Sequence, residues 1–473
     1  MSGSKVVKAG FGYTIGNILI RGIGFLSIPI FTRLMDTGDY GLYNTYAAYE
    51  AIFYLVISLA LNSTAKVAKL EFKEDFDEYM STIVTVVVIN SLAWLVIFNI
   101  IYPFIPGYVW EYNRIVLNLL VIHSLGSALI VIFNAAVSVR YKYKSYLAIS
   151  LLNSLGGVLI SVCLMLTLFG EQRYMGRILG AVAGVAVTGV IILVSFYRKS
   201  APNFKKGYIK YALKYSLPVV PHGISQVLLA QFDRIMIKNM TGNVNAGIYS
   251  FTGNISSIMK VIVNSVMTAW SPWFFEEYSQ KNIEKIREVT KYCIMAFALF
   301  TNCVMLCAPE VLKLMAPKEY WDGINLVVPM ALDVFCTLLY SIYCEIEYYY
   351  KKTQFLMFAT LGAAVINIAA NYVMIGMYGY IMAAWTTLFA YICYFLFHYF
   401  LSCKFAGEDV FDLKRNVLSV LQVVCVAVFA AVFMESWLIR WLMALVVFGV
   451  NVYILRPYII KFLERRRKKL KKQ

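Results

Sequence analysis

Long apolar segments recur along the whole chain, and their length constrains the fold more than any other feature. A membrane-spanning helix needs about 20 consecutive, mainly apolar residues. Fourteen segments near that length cover residues 11–35, 40–65, 82–102, 115–139, 147–169, 176–197, 217–240, 246–274, 290–312, 324–349, 355–375, 379–401, 413–433 and 437–457. The sequence therefore predicts an all-α polytopic membrane protein with about fourteen transmembrane helices.

The composition excludes a soluble globular protein. Charged residues make up 15% of the 473 residues and hydrophobic ones 60%, whereas soluble domains carry about 25% charged residues. The nine cysteines are scattered without a C-x-x-C pair, which is typical of small apolar core residues. No P-loop and no metal-ligand or catalytic-triad spacing occurs. We therefore expect neither a cofactor, nor a metal, nor an enzyme.

The basic residues predict the orientation in the membrane. In the fourteen-helix topology, 31 of the 43 Lys and Arg residues lie on the side of the two termini and nine on the opposite side. Because cytoplasmic loops carry the excess of positive charge, both termini are expected in the cytoplasm. The net charge of +17 then reflects membrane orientation and not a nucleic-acid partner.

Two cytoplasmic segments are predicted to meet anionic phospholipids. Residues 204–214 form a basic amphipathic pattern in which Lys206, Lys210 and Lys214 share one helix face, as in helices that lie on a charged leaflet. The tail from Lys461 onwards carries eight basic residues. Contact with lipid headgroups is the first interpretation of this tail, and docking of another protein is the alternative.

The chain also repeats itself with an offset of about 206 residues. Gly41-Leu42-Tyr43 corresponds to Gly247-Ile248-Tyr249, and the basic segment 140–144 before the fifth helix resembles the segment 350–352 before the eleventh. Six helices per repeat insert in the same orientation, so the halves should be related by a pseudo-two-fold axis along the membrane normal. We predict an N-terminal lobe over 1–200 (helices 1–6), a C-terminal lobe over 201–404 (helices 7–12), and an appended pair with the basic tail over 405–473.

An arginine lies near the middle of the first apolar segment. At helical spacing Thr14, Asn17, Arg21 and Gly24 share one stripe. A charge at mid-membrane costs roughly 3 kcal/mol on insertion scales, so it is expected to face a cavity or a partner. We interpret Arg21, with Asn17 beside it, as a cationic site for an anionic substrate. A structural arginine paired with a carboxylate is the alternative.

The eighth helix provides a second intramembrane cation. Lys260 lies near its midpoint, with Ser257 and Asn264 on the same stripe. Arg21 and Lys260, one in each predicted lobe, would suit a diphosphate or a similar anion, because charge-assisted hydrogen bonds are strong in a low dielectric. Snorkelling of Lys260, or loss of its charge, is the alternative.

The remaining intramembrane charges leave several roles open. Asp233 and Arg234 are adjacent on the seventh helix and therefore point to different faces; Arg234 is a further candidate for substrate binding, and a structural salt bridge is the alternative. Glu50, Asp233 and Asp333 are candidates for coupling transport to a proton or sodium ion. Glu50 and Asp333 are equally plausible as counter-ions to Arg21 and Lys260.

Four segments together resemble a known family. They read G-N-I-L-I-R-G-I-G-F-L-S-I-P-I-F-T-R-L-M-D-T-G-D-Y-G-L-Y-N-T-Y over 16–46, F-D-R-I-M-I over 232–237, A-G-I-Y-S over 246–250, and Y-K-K-T over 350–353. The chain resembles bacterial polysaccharide-repeat flippases of the O-antigen and capsule type. These belong to the multidrug/oligosaccharidyl-lipid/polysaccharide exporter superfamily.

The resemblance implies a function in cell-surface polysaccharide biosynthesis. It implies movement of an undecaprenyl-diphosphate-linked oligosaccharide from the inner to the outer leaflet of the bacterial inner membrane, by alternating access and in contact with other polysaccharide-assembly proteins. The alternative within the superfamily is a cation-coupled exporter of drugs or other small molecules. A membrane glycan polymerase or ligase, from another class, would need catalytic residues on a large outer loop, and the predicted outer loops are short.

Overall fold

The computed structural model describes the backbone of residues 3–107 and 110–470, and it is helical throughout, with sixteen α-helices and no strand in those ranges. Side chains are described for residues 12–13, 16–107, 110–454 and 456. Contacts divide the chain after Gly247, giving unit 1 (Met1–Gly247) and unit 2 (Ile248–Gln473). The division into lobes at 200 and 404 remains a prediction.

Unit 1 contains the first nine helices and the start of the tenth. They are α1 (Gly3–Leu34), α2 (Thr37–Ser58), α3 (Ala65–Glu71), α4 (Phe76–Ile101), α5 (Arg114–Ser138), α6 (Tyr143–Thr167), α7 (Arg173–Tyr197), α8 (Lys206–Ser216), α9 (Val219–Thr241) and α10 (Asn243–Ser279). Short 3₁₀ segments cover Leu61–Thr64 and Tyr102–Phe104. Asp36 and Asn113 cap α2 and α5 by accepting hydrogen bonds from backbone N–H groups of the first turn.

Unit 2 contains the rest of α10 and six further helices. These are α11 (Ile283–Met315), α12 (Val327–Tyr349), α13 (Gln354–Tyr378), α14 (Met382–Ala406), α15 (Leu413–Val432) and α16 (Trp437–Leu470), with a 3₁₀ segment over Lys318–Leu326. Gly379 and Gly407 follow α13 and α14 with φ of 86° and 78°, a conformation that glycine adopts without a steric penalty.

The predicted fold class is confirmed, because every predicted apolar segment corresponds to one of these helices or, for the second, to a broken helix. Eleven described helices are long and apolar enough to cross a membrane, and the bent pair after Thr37 raises the number to twelve. The segments predicted at 217–240 and 246–274 correspond to α9 and α10. Those two helices carry Asp233, Arg234, Lys238 and Lys260 within their length.

The second predicted segment, 40–65, is a broken helix. α2 ends at Ser58, and Leu59 and Ala60 take left-handed φ values of 49° and 51°. The chain resumes at an angle of 51°. Asn90 of α4 donates 2.9 Å hydrogen bonds to the carbonyl oxygens of Val56 and Ile57, so the carbonyls freed by the break are satisfied by a neighbouring helix.

The repeat is visible in a close contact between α2 and the start of α10. A β-carbon on Gly41 would lie 1.9 Å from the carbonyl oxygen of Asn243, and one on Gly247 would lie 1.9 Å from that of Thr37. Thr37 and Asn243 each precede their own helix's glycine by one turn. Each glycine therefore lies against the first residue of the other helix. This is the arrangement expected when equivalent positions are related by a local two-fold axis.

The basic helix predicted at 204–214 corresponds to α8. Its apolar face packs on protein and not in a leaflet, because the rings of Tyr208 and Tyr211 lie 4.9 and 5.0 Å from that of Phe72 and Ala212 is buried. The face that remains exposed carries Lys206, Lys210 and Lys214. The side chains of the predicted lipid-binding tail from Lys461 lie outside the described residues.

Within unit 2, α12 packs on α11 and α14, and the C-terminal helices α15 and α16 pack on α11. Arg440 of α16 is fully buried, and its guanidinium forms hydrogen bonds with both carboxylate oxygens of Glu310 and with the carbonyl oxygen of Leu306. This pairing attaches the predicted appended helices to the core of the unit.

Candidate functional site

Arg21 lies in the middle of α1 with its side chain exposed. No hydrogen-bond or ion-pair partner is found for it among the described residues, so the structural-pair alternative has no carboxylate to support it. Asn17, one turn before, accepts a hydrogen bond from the hydroxyl of Tyr146 on α6. The rest of the predicted stripe is Gly24, whose carbonyl accepts from Ser27, and Thr14, whose side chain lies outside the described residues.

A polar cavity of about 240 Å³ lies in unit 1, beginning one turn beyond Arg21. Five helices enclose it: α1, α2, α5, α6 and α7. Its lining residues are Ile23, Gly24, Ser27, Tyr43, His123, Asn153, Ser154, Gly157, Val158, Arg177, Ala181 and Val185. Small residues allow α6 and α7 to approach closely here, since a β-carbon on Gly184 would lie 2.8 Å from Gly157. The helices thereby bring a guanidinium, an imidazole and an amide to one space.

Glu50 of α2 belongs to the same region of unit 1. It lies within electrostatic range of His123, Tyr46 and Tyr54, and the Tyr46 hydroxyl is 3.1 Å from His123 Nδ1. The Oε1 atom of Glu50 is buried without a hydrogen-bond partner among the described residues. A buried carboxyl oxygen in this state can accept a proton or a cation, so the geometry keeps Glu50 as a candidate for ion coupling.

Asp233 and Arg234 lie on α9, which packs against α2. Asp233 is buried and Arg234 is half-buried, as expected for neighbouring residues that point to different faces. Both have polar interactions within the protein. Their assignments to ion coupling and to substrate binding remain predictions.

In unit 2, Lys260 lies beside Asp333. The Lys260 Nζ is 3.7 Å from a carboxylate oxygen of Asp333 and 5.2 Å from the centre of the Tyr391 ring. The Lys260 side chain is 31% exposed and that of Asp333 only 7%. Ser257 and Asn264 are exposed on the same stripe as Lys260. Of the roles left open for Asp333, the geometry fits that of counter-ion to Lys260.

A buried pair in unit 2 was missed by the sequence analysis. Glu347 of α12 and His398 of α14, both fully buried, form a hydrogen bond between a carboxylate oxygen and Nδ1. With Cys344 they form a group of metal-ligand type whose ligand atoms lie within 4.8 Å of one another. From sequence, a position near the inner end of the tenth segment suggests an interfacial glutamate. The structure contradicts that interpretation, because residues 342–347 are all buried.

The family follows from comparison with known proteins. A family model described as a polysaccharide biosynthesis protein matches residues 6–277, more than half of the chain. The chain belongs to this family. The family resemblance predicted from the sequence is thereby confirmed, and Arg21, Glu50 and Lys260 fall inside the matched range. A second model, MatE, matches residues 218–373, which include Lys260 and Asp333.

Two relatives and a solved structure are similar to this chain. A protein of the Lsg locus of Haemophilus influenzae is 22% identical over 77% of this chain and 90% of its own length. The capsular polysaccharide biosynthesis protein CapF of Staphylococcus aureus is 22% identical over 65% of this chain and 77% of its own length. In fold, the chain is similar to the lipid II flippase MurJ in an inward closed conformation, with a TM-score of 0.68, 15% identity, and coverage of 93% of this chain and 100% of that one. The protein is thus a multi-pass membrane protein of the polysaccharide biosynthesis family.

Proposed function

We propose that the protein is a flippase that moves an undecaprenyl-diphosphate-linked oligosaccharide from the inner to the outer leaflet of a bacterial cytoplasmic membrane. Access to the substrate site would alternate between the two membrane faces, and both termini would lie in the cytoplasm. The proposal is one of transport and not of catalysis. The family and the fold support a multi-pass membrane protein of polysaccharide biosynthesis. The proposal adds an activity, a substrate and a direction of movement.

The observation that carries the proposal is the state of Arg21. Its side chain is exposed on the candidate membrane-spanning helix Gly16–Leu34 and has no counter-ion among the described residues. A charge near the centre of a spanning helix costs roughly 3 kcal/mol even on insertion scales. This free-energy cost is lower if the arginine faces water and binds an anion during the transport cycle. A guanidinium is suited to a diphosphate because its fork of N–H groups matches two phosphoryl oxygens.

Lys260 and Arg234 are secondary candidates in this proposal. Asp333 already compensates part of the Lys260 charge, so Lys260 would contribute less attraction for the headgroup than Arg21. Asn17 and Asn264 lie on the same helix stripes as the two cations and would donate or accept hydrogen bonds from the headgroup or the first sugar. The names of two similar proteins, a capsular polysaccharide biosynthesis protein and a lipid II flippase, support a lipid-linked substrate.

The membrane environment would supply further partners. The exposed lysines of α8 and the basic tail would bind anionic phospholipids at the cytoplasmic face, because each basic residue near an anionic leaflet contributes about 1 kcal/mol of attraction. Other polysaccharide-assembly proteins would deliver or receive the substrate. Binding of nucleic acid is not part of the proposal.

A cation-coupled exporter of small molecules is the second candidate function. It is favoured by the match of residues 218–373 to MatE and by the buried, unbonded Oε1 atom of Glu50. In that case Glu50, Asp233 and Asp333 would bind a proton or a sodium ion, and the cations would matter less.

The test is reconstitution of the full chain into liposomes that contain a fluorescent undecaprenyl-diphosphate oligosaccharide. A membrane-impermeant quencher measures the fraction of label in the outer leaflet, with and without an imposed proton or sodium gradient. Protein-free liposomes give the spontaneous rate. The proposal expects protein-dependent movement of the lipid across the bilayer. Movement of a small cationic drug under a gradient, without movement of the lipid, would assign the protein to the second candidate.

A further inference from the structure

Arg177, near the start of α7, lines the cavity of unit 1 and has no carboxylate partner among the described side chains. Its guanidinium carbon lies 3.8 Å from the centre of the Phe31 ring and 4.5 Å from that of Tyr43. Nη1 donates a hydrogen bond of 2.9 Å to the Ser161 hydroxyl. Among the described residues no carboxylate lies within 4.0 Å of this guanidinium. The two rings fix its orientation and leave further N–H groups for a ligand.

Other polar groups around the same cavity also have unused hydrogen-bonding capacity. Asn153 and Ser154 line it, and no side-chain hydrogen bond is found for either in the described part of the chain. His123 uses Nδ1 for its contact with Tyr46, which leaves Nε2. An amide, a hydroxyl and an imidazole nitrogen are groups that bind the hydroxyls of a sugar ring.

The size of the cavity limits the ligand. At about 240 Å³ it is smaller than the roughly 300–1,000 Å³ of sites for drug-sized molecules, so its volume suits a single sugar ring. The arginine favours an anionic ligand, because charge-assisted hydrogen bonds are the stronger ones. Arg440 shows what a structural arginine does in this protein, since it is paired with Glu310. Arg177 differs because its free side faces a polar cavity.

We propose that this cavity binds a sugar that carries a carboxylate, of the hexuronic acid class. The carboxylate would accept two hydrogen bonds from Arg177, and the ring hydroxyls would bind Asn153, Ser154 and His123 Nε2. The inference deepens the proposed function and rests on it in one respect: the sugar acid would be a residue of the lipid-linked oligosaccharide. The same chemistry would also bind a free hexuronate.

Binding is tested on the purified full chain with radiolabelled methyl β-glucuronide. Methyl β-glucoside, which lacks the carboxylate, is the uncharged control ligand. A bidentate contact with a charged group favours the glucuronide at least about tenfold. Arg177→Gln is expected to abolish this preference. Asn153→Ala, which leaves the arginine in place, should weaken binding of both sugars while keeping the preference for the acid. Equal binding of the two sugars by the unaltered protein, binding of neither, or an unchanged preference in Arg177→Gln would overturn the assignment.

A transport experiment distinguishes a lipid-linked sugar acid from a free hexuronate as the ligand. Liposomes would contain undecaprenyl-diphosphate oligosaccharides that differ only in one sugar, glucuronic acid or glucose. Faster movement of the acidic substrate, lost in Arg177→Gln, supports the lipid-linked source. If glucuronide binds selectively but no lipid moves, the cavity assignment holds for a free hexuronate and the proposed flippase function fails. If both lipids move equally and neither monosaccharide binds, the flippase function holds and the cavity assignment fails.

Discussion

At the scale of single residues, most of the buried charges that the structure describes have an opposite charge beside them. Arg440 is paired with Glu310, Lys238 with Glu111 at 2.7 Å, and Lys260 with Asp333 at 3.7 Å. Removing one partner of a buried pair costs more than the pair contributes, because the other charge stays desolvated. No such carboxylate lies beside Arg21 or Arg177 among the described residues, so their charges are available to an anionic ligand.

The Lys260–Asp333 pair allows a structural role to be separated from a role in transport. Lys260→Met leaves Asp333 without its ammonium partner, and we expect a loss of about 2 kcal/mol in unfolding free energy. This value lies between the 0–1 kcal/mol of exposed pairs and the 3–5 kcal/mol of buried ones, since Lys260 is partly exposed. The double variant Lys260→Met/Asp333→Asn should recover most of that stability. Chemical unfolding in detergent measures both.

Transport by the double variant then decides the role of Lys260. A stable double variant with reduced lipid movement assigns the lysine to the substrate. If the double variant is stable and moves the lipid at the normal rate, the pair has a structural role. If the double variant does not recover stability, the pairing itself is contradicted.

The buried Glu347–His398 hydrogen bond predicts a large effect from a single substitution. His398→Ala leaves Glu347 fully buried and without this partner, so the unfolding free energy should fall by about 3 kcal/mol. His222→Ala is the matched control, because His222 is half-buried and its Nδ1 has no hydrogen-bond partner among the described residues. Equal effects of the two substitutions on the unfolding midpoint would contradict a stabilising role for the pair.

Sequence reasoning selected Arg21, Lys260, Asp233 and Asp333 as candidates, because a charged residue inside an apolar segment stands out in the sequence alone. It missed Arg177, which follows Arg173 near the start of a helix and resembles an ordinary loop cation. It also missed the Glu347–His398 pair, because 51 residues separate the partners and only helix packing brings them together.

At the scale of helices, the contact between Gly41 and Gly247 predicts an effect of added volume. Gly41→Ala would place a methyl group 1.9 Å from the carbonyl oxygen of Asn243, so α2 and α10 must separate, at a cost of about 1–3 kcal/mol. Gly38→Ala is the control on the same helix, since its β-carbon would approach no atom closer than 3.4 Å. Alanine there should be neutral or slightly stabilising. Thermal unfolding of the two variants in detergent compares them, and equal midpoints would refute the close contact.

The break in α2 shows where helix prediction fails. The residues at the break, Leu59 and Ala60, carry no signal of a turn, since neither is glycine nor proline. Their left-handed conformation is unusual for such residues. The hydrogen bonds from Asn90 that support it come from another helix. Tertiary contacts therefore determine this break, and a local pattern cannot reveal it.

At the scale of the whole molecule, the helical class and the number of long helices follow from the sequence. Fourteen of the sixteen described α-helices contain at least 20 residues, because the bilayer imposes a minimum length that an apolar run displays directly. Helix ends are less predictable: α11 begins at Ile283, seven residues before the predicted segment at 290, since helices continue into charged sequence beyond the apolar run. Residues of five different helices line the polar cavity of unit 1. No single segment of the sequence therefore predicts it.

The central claim is that the charge of Arg21 binds the anionic headgroup of a transported lipid. The most direct measurement is the rate of leaflet exchange of fluorescent undecaprenyl-diphosphate oligosaccharide in liposomes for Arg21→Ala, Arg21→Lys and Arg33→Ala, at equal amounts of folded protein. Arg33 is an exposed arginine at the end of the same helix, so it controls for the loss of one positive charge. We predict exchange at least about tenfold slower in Arg21→Ala, partial activity in Arg21→Lys, and a normal rate in Arg33→Ala. A normal rate in Arg21→Ala would contradict the account.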